Sequence, residues 1–109
     1  MEISQITVQQ LAARLPRDEV LLLDVREPWE IETAAVDGAL CIPMNDVPER
    51  LDELRASRGN RDLVVMCHSG KRSAIITRFL NQSGLDGVFN LCGGITAWSN
   101  EIDASVPIY

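Results

Sequence analysis

The sequence predicts an α/β fold in which helices cover both faces of a parallel-type sheet. Two buried runs and one alternation carry that expectation. Leu63-Val64-Val65-Met66 is short, apolar and without polar alternation, which suits a strand buried on both sides, and Val20-Leu21-Leu22-Leu23 is a second buried strand. Segments with helical spacing lie between the strands, and strand alternating with helix through most of the chain is the pattern of a parallel sheet. In such sheets ligands gather at the C-terminal ends of the strands. Asp24, Cys67 and Cys92 fall at or near such ends and are expected to share one rim.

In chain order, Glu2 to Gln5 is expected to be a short edge strand. Thr7 and Gln10 then fit a capping box, with Val8, Leu11, Ala12 and Leu15 at helical spacing and Pro16 stopping the element. Asp24 ends the strand that begins at Val20, where its simplest role is to hold Arg26 or loop amides. Pro28 suits the first position of a short acidic helix, Glu30 and Glu32 favour its early turns, and Trp29 is expected to pack. Asp37-Gly38 turns into a strand over Ala39 to Ile42, which Pro43 ends. Asn45 or Asp46 is expected to cap the next helix, with Leu51 and Leu54 inward and Glu49, Arg50, Asp52, Glu53 and Arg55 solvated. Arg58-Gly59-Asn60-Arg61 is a loop leading to the central strand. Beyond it, Ser73 is expected to cap a helix over Ala74 to Ser83, with Ile75, Ile76, Phe79 and Leu80 as its buried stripe and Gly84 closing it. Val88 to Leu91 is a last strand, and Gly93-Gly94 permits a tight turn or a close backbone approach. Ile95, Ala97 and Trp98 sit on a final short helix. The tail from Ile102 to Tyr109 is expected to be extended, with Val106-Pro107 excluding helix.

A chain of 109 residues, without repeats or a low-complexity linker, reads as one domain over residues 1–109. Its 16 acidic residues against 10 basic ones, a formal net charge of −6, argue against nucleic-acid and anionic-membrane partners. MEISQITVQQ has neither the basic nor the apolar part of a signal peptide, and no apolar run nears the ~20 residues that span a bilayer, so a cytoplasmic location is expected. Cys41, Cys67 and Cys92 are odd in number, show no CxxC spacing, and find only one histidine to complete a zinc set. Reduced thiols without a metal or cofactor are the simplest account.

The chemistry is densest in Asp62 to Ser73, DLVVMCHSGKRS. A strand, a tight glycine-containing loop and a helix N-terminus together make an anion site, because successive backbone N–H groups point into the loop and the helix dipole adds positive charge. His68, Lys71 and Arg72 crowd into the same loop of an acidic protein. A thiol at Cys67 is expected to ionise more readily there than the ordinary value of about 8.5 allows. Arg72, as a planar fork, and Lys71, as a point charge, suit an anionic substrate group.

Four stretches, LLLDVREPWE, VDGALCIPM, VVMCHSGKRS and LCGGITAW, resemble in order and spacing the signatures of the rhodanese family of sulfurtransferases, and DASVPIY is similar to tails seen there. The resemblance implies a three-layer fold around a five-stranded, mainly parallel sheet. It implies that Cys67 accepts sulfane sulfur as a persulfide, from a donor such as thiosulfate, and passes it to cyanide or a protein thiol. The terminal anion would then be held by the loop His68-Ser69-Gly70-Lys71-Arg72-Ser73, with Asp24 and Arg26 in support. Many members carry Gly-His-Ile-Pro-Gly-Ala before the third strand. Here the stretch is Ala34-Ala35-Val36-Asp37-Gly38-Ala39, which removes any imidazole at that position.

Two other readings compete. Cysteine phosphatases and arsenate reductases use Cys-x5-Arg, whereas Cys67 to Arg72 is Cys-x4-Arg, a smaller cradle with Ser73 where that arginine would stand. A sulfur carrier would use the same loop to relay persulfide to a partner protein. Cys92 is expected either to be a small buried strand-end residue or to resolve an oxidised Cys67.

Overall fold

The computed structural model describes residues 2–109. Five strands, β1 (Ser4–Ile6), β2 (Val20–Asp24), β3 (Leu40–Cys41), β4 (Asp62–Met66) and β5 (Val88–Leu91), form one sheet in the order β1-β5-β4-β2-β3. Every neighbouring pair is parallel, so the mainly parallel sheet expected from the sequence is parallel throughout. Helices α1 (Val8–Arg14), α2 (Pro28–Thr33), α3 (Leu51–Arg58), α4 (Lys71–Gln82) and α5 (Gly94–Glu101) make the crossovers, with 3-10 turns at Leu15–Arg17 and Met44–Arg50.

Side chains alternate across a strand, and the core divides accordingly. Val20, Leu22, Val64, Met66 and Leu91 pack with Val8 and Leu11 of α1 and with Ile95 and Trp98 of α5. Leu21, Leu23, Leu63, Val65 and Val88 pack on the other face with Leu54 of α3 and with Ile76 and Leu80 of α4. Strands fed to cores on both faces need continuous apolar runs, as β2 and β4 have. Among the described residues no helix is long and apolar enough to cross a membrane.

Local signals fixed several boundaries. Thr7 Oγ1 accepts from Gln10 N at 3.1 Å while Gln10 Oε1 accepts from Thr7 N at 2.9 Å, the reciprocal capping box. Pro28 opens α2, and the tail forms no helix. Five expectations need correcting. The edge strand lies at Ser4–Ile6, starting two residues and ending one residue later than expected, because its parallel partner Phe89 to Leu91 sets the register. Neither Asn45 nor Asp46 caps a helix; the chain passes from Pro43 into the 3-10 turn, and α3 starts only at Leu51. Helix α4 starts at Lys71, with Gly70 rather than Ser73 at the N-cap, since Gly70 takes a left-handed φ of 110° that turns the chain earlier. Its buried stripe is accordingly Ser73, Ile76, Thr77 and Leu80, and Ile75, about 100° away round the helix, is exposed. Trp29 is also exposed, at 62%, with its ring T-shaped to that of Tyr109 at 6.1 Å between centroids.

Candidate active site

Strand β4 delivers Cys67 into a loop that the backbone locks from outside. The N-terminus of α5 donates to it twice, Ile95 N to the Cys67 carbonyl at 3.0 Å and Thr96 N to the His68 carbonyl at 3.2 Å. This close approach is why position 94 is glycine. A Cβ there would stand 2.5 Å from both carbonyl oxygens. Gly93-Gly94, read from sequence as either a turn or a close approach, is therefore a close approach at Gly94.

The loop then turns back so that Gly70 N donates to Cys67 Sγ at 3.1 Å, and Ser73 Oγ lies 3.3 Å from the same sulfur. The sulfur is buried, with its residue 1% exposed. Burial pushes the thiol up, but the hydrogen bonds of the loop, among them those from the amides of Ser73, Gly70 and Ser69, outweigh it and hold Cys67 below the ordinary cysteine value. That is the direction the loop chemistry predicts. Two surface clefts lie away from residues 67–73: one is walled by Leu15, Val36, Trp98 and Val106, another by Arg14, Glu19 and Arg61. The sulfur sits in a cradle formed by its own loop, against Gly70 N and Ser73 Oγ.

Around that cradle the cations are unequal. Arg72 grips Glu30 with both arms, at 2.6 and 2.8 Å, although Glu30 is buried. The Arg72 guanidinium holds the Glu30 carboxyl down to about 2 against the opposing effect of burial, helped by the Tyr109 hydroxyl and Glu27 N. Glu30 in turn raises Arg72. Among the described residues Lys71 makes no ion pair and is exposed. His68 is engaged by the tail: its ring stacks on Tyr109 with centroids 4.2 Å apart, and Nε2 lies 2.9 Å from the Tyr109 backbone oxygen.

Asp24 and Arg26 form a buried pair behind this layer, Nη2 to Oδ2 at 2.7 Å. Arg26 also donates to the Glu30 and Ala34 carbonyls and to the Tyr109 hydroxyl. The pair therefore braces α2 and the tail, and reaches the loop through Glu30. Three residues that sequence reasoning did not place at the site thus belong to it: Glu30, Tyr109 and Asn90, whose contacts with Arg72, His68 and Ser73 span 42, 41 and 17 residues. In sequence Glu30 reads only as a helix-dipole partner, and no local pattern signals such long-range contacts.

The shared rim holds. Asp24 pairs in register with Met66, and Cys92 follows β5, the neighbour of β4. Of the two expectations for Cys92, the small buried strand-end residue is overturned. It is exposed, with Sγ 3.3 Å from Gln5 Oε1. Among the described residues no group of three or more His, Cys, Asp and Glu side chains gathers as a metal site.

A parallel α/β sheet that holds one ionisable thiol against backbone amides at a helix start defines a thiol-dependent group-transfer class. Comparison with known proteins narrows it. Residues 7–101 match the rhodanese-like domain, and the chain belongs to that family of sulfurtransferases. It is 39% identical over 98 residues to a sulfurtransferase of Allochromatium vinosum, covering 89% of each chain. It is 28% identical to the thiosulfate sulfurtransferase GlpE of Tolumonas auensis, again over 89% of each. Among solved structures, a rhodanese-like domain protein from Staphylococcus aureus superposes with a TM-score of 0.77 at 30% identity, covering 98% of this chain and 99% of that one.

Proposed function

We propose that the protein takes sulfane sulfur from a donor such as thiosulfate onto Cys67 as a persulfide and passes it to a thiophilic acceptor, cyanide or a thiol. The observation that carries this is the Gly70 N–H aimed at a buried, readily ionised sulfur. The Cys67 thiolate attacks the outer sulfur of thiosulfate. The donor's S–S bond breaks, its electron pair leaves with sulfite, and a new S–S bond leaves the negative charge on the terminal sulfur. Amides at the start of α4 suit that charge, since they are fixed before it arrives and need no reorganisation. An acceptor then attacks the terminal sulfur, and the bonding pair returns to Cys67 as thiolate. The nucleophile is regenerated without a cofactor.

Lys71 is the cation open to the leaving sulfonate. Arg72 reaches it only by releasing Glu30, so its first task is to tie the start of α4 to α2. A pinned arginine and a cradle one residue shorter both weigh against a phosphatase.

Rapid mixing with thiosulfate and no acceptor tests the reading. One sulfite per protein should appear in a burst, and added cyanide should give continuous thiocyanate formation. No burst, or a burst that survives Cys67→Ser, refutes it. A relay to a protein thiol would show as the same burst, slow turnover with cyanide and fast discharge to the thiol protein.

A further inference from the structure

Asn90 lies on β5, outside the loop, and the sulfur chemistry above does not use it. It is nevertheless buried directly behind the sulfur. Ser73 Oγ lies 2.5 Å from Asn90 Oδ1 and 3.3 Å from Cys67 Sγ. The far end of the amide fixes which atom faces Ser73. Asn90 Nδ2 is 3.3 Å from the Gly70 carbonyl and 3.1 Å from Gln5 Oε1. A backbone carbonyl only accepts, so the amino group must face Gly70 and Oδ1 must face Ser73. Oδ1 carries no proton, so Ser73 is the donor in that short contact. A hydroxyl has one proton to give. Ser73 therefore turns a lone pair toward the sulfur, an arrangement that suits a thiol or an uncharged sulfur and opposes a bare thiolate.

We propose that Asn90 is a positioning residue that competes with Cys67 for the single proton of Ser73, so that the cradle favours an uncharged inner sulfur over a free thiolate. The consequence for transfer rests on the sulfurtransferase reading. In a persulfide the inner sulfur is bonded to carbon and to the outer sulfur, which carries the charge, and it needs no donor. Loading turns the thiolate's electron pair into the new S–S bond; release returns that pair to Sγ. By withholding the Ser73 proton, Asn90 favours loading and slows release, and the protein keeps its sulfur until a strong acceptor arrives. Asn90 also holds the Gly70 carbonyl, so one side chain steadies both groups that touch Sγ.

The titratable and charged groups around the loop are Lys71 and Arg72 on α4, Glu30 on α2 through Arg72, the Asp24–Arg26 pair after β2, and His68 and Tyr109. A substitution at position 90 alters none of them. Asn90→Leu removes the competing acceptor while keeping the number and branching of the side-chain heavy atoms, although its two methyl groups fill more space than the amide. The alkylation rate of Cys67 with iodoacetamide, resolved by peptide mass spectrometry from about pH 5 to pH 10, gives the thiol midpoint. It should fall by about one pH unit in Asn90→Leu, the effect of a new O–H···S⁻ bond. It should not move when the same change is added to Ser73→Ala. An unchanged or higher midpoint, or an equal fall in both backgrounds, overturns the proposal. Asn90→Ala, which demands less space, is read the same way if Asn90→Leu does not unfold cooperatively. The titration uses no sulfur donor, so its failure is distinct from failure of the sulfurtransferase reading, which is lost only if Cys67 takes no sulfur.

Discussion

Replacing Glu30 with Gln tests the layer that holds the loop. The substitution keeps the shape and the acceptor oxygen but removes the charge that Arg72 grips at 2.6 and 2.8 Å. Its magnitude follows from linkage. The Glu30 carboxyl falls from an ordinary 4.5 to about 2 in the folded protein, which is worth about 3 kcal/mol of stability at neutral pH. The Arg72 shift reports the same contact and adds nothing further. Because the folded value is depressed, this stability is fully present above pH 4.5 and is lost as pH falls through about 2. The gap between wild type and Glu30→Gln should therefore shrink from about 3 kcal/mol at pH 7 to about 2 at pH 3.5. Urea unfolding at the two values measures it. A second readout is catalytic: with Arg72 released, KM for thiosulfate should fall several-fold. A gap below about 0.5 kcal/mol at pH 7 would make the pair an ordinary surface bridge and refute the reasoning.

Other perturbations separate loop shape from loop charge. Gly94→Ala would drive a Cβ to 2.5 Å from the Cys67 and His68 carbonyls at a φ of 58°; thermal unfolding should show a loss of about 2–4 kcal/mol, and sulfur loading should drop with it. Lys71→Ala should raise KM for thiosulfate by roughly three- to tenfold, the worth of an exposed charge-assisted contact, while discharge of a preformed persulfide to cyanide stays within twofold. Equal losses in both half-reactions would show that Lys71 shapes the loop.

The parts of the fold legible in the sequence are those decided locally. β2 and β4 announce themselves by unbroken apolar runs, and Thr7 with Gln10 marks the start of α1 within four residues. The strand–loop–helix geometry around Cys67 was legible because glycine, cations and the strand end are neighbours in sequence. What stayed hidden is decided by chain reversal. Ser73 is a good N-cap residue, yet the left-handed turn at Gly70 starts α4 three residues ahead of Ala74, leaving Ser73 inside the helix and free to face the sulfur and Asn90. The same shift turned Ile75 outward. Nothing near Arg72 in sequence shows that its fork is filled by Glu30, nor that Tyr109 lies on His68. These contacts exist only because α2 and the tail fold over the same rim.

The central claim is that the Cys67 sulfur carries the transferred atom, and peptide mass spectrometry of the thiosulfate-treated protein tests it most directly. The account predicts a gain of one sulfur, about 32 Da, on the peptide containing Cys67, removable by cyanide and absent in Cys67→Ser. Sulfur found on the peptides of Cys41 or Cys92 instead, or loading that persists in Cys67→Ser, would contradict it.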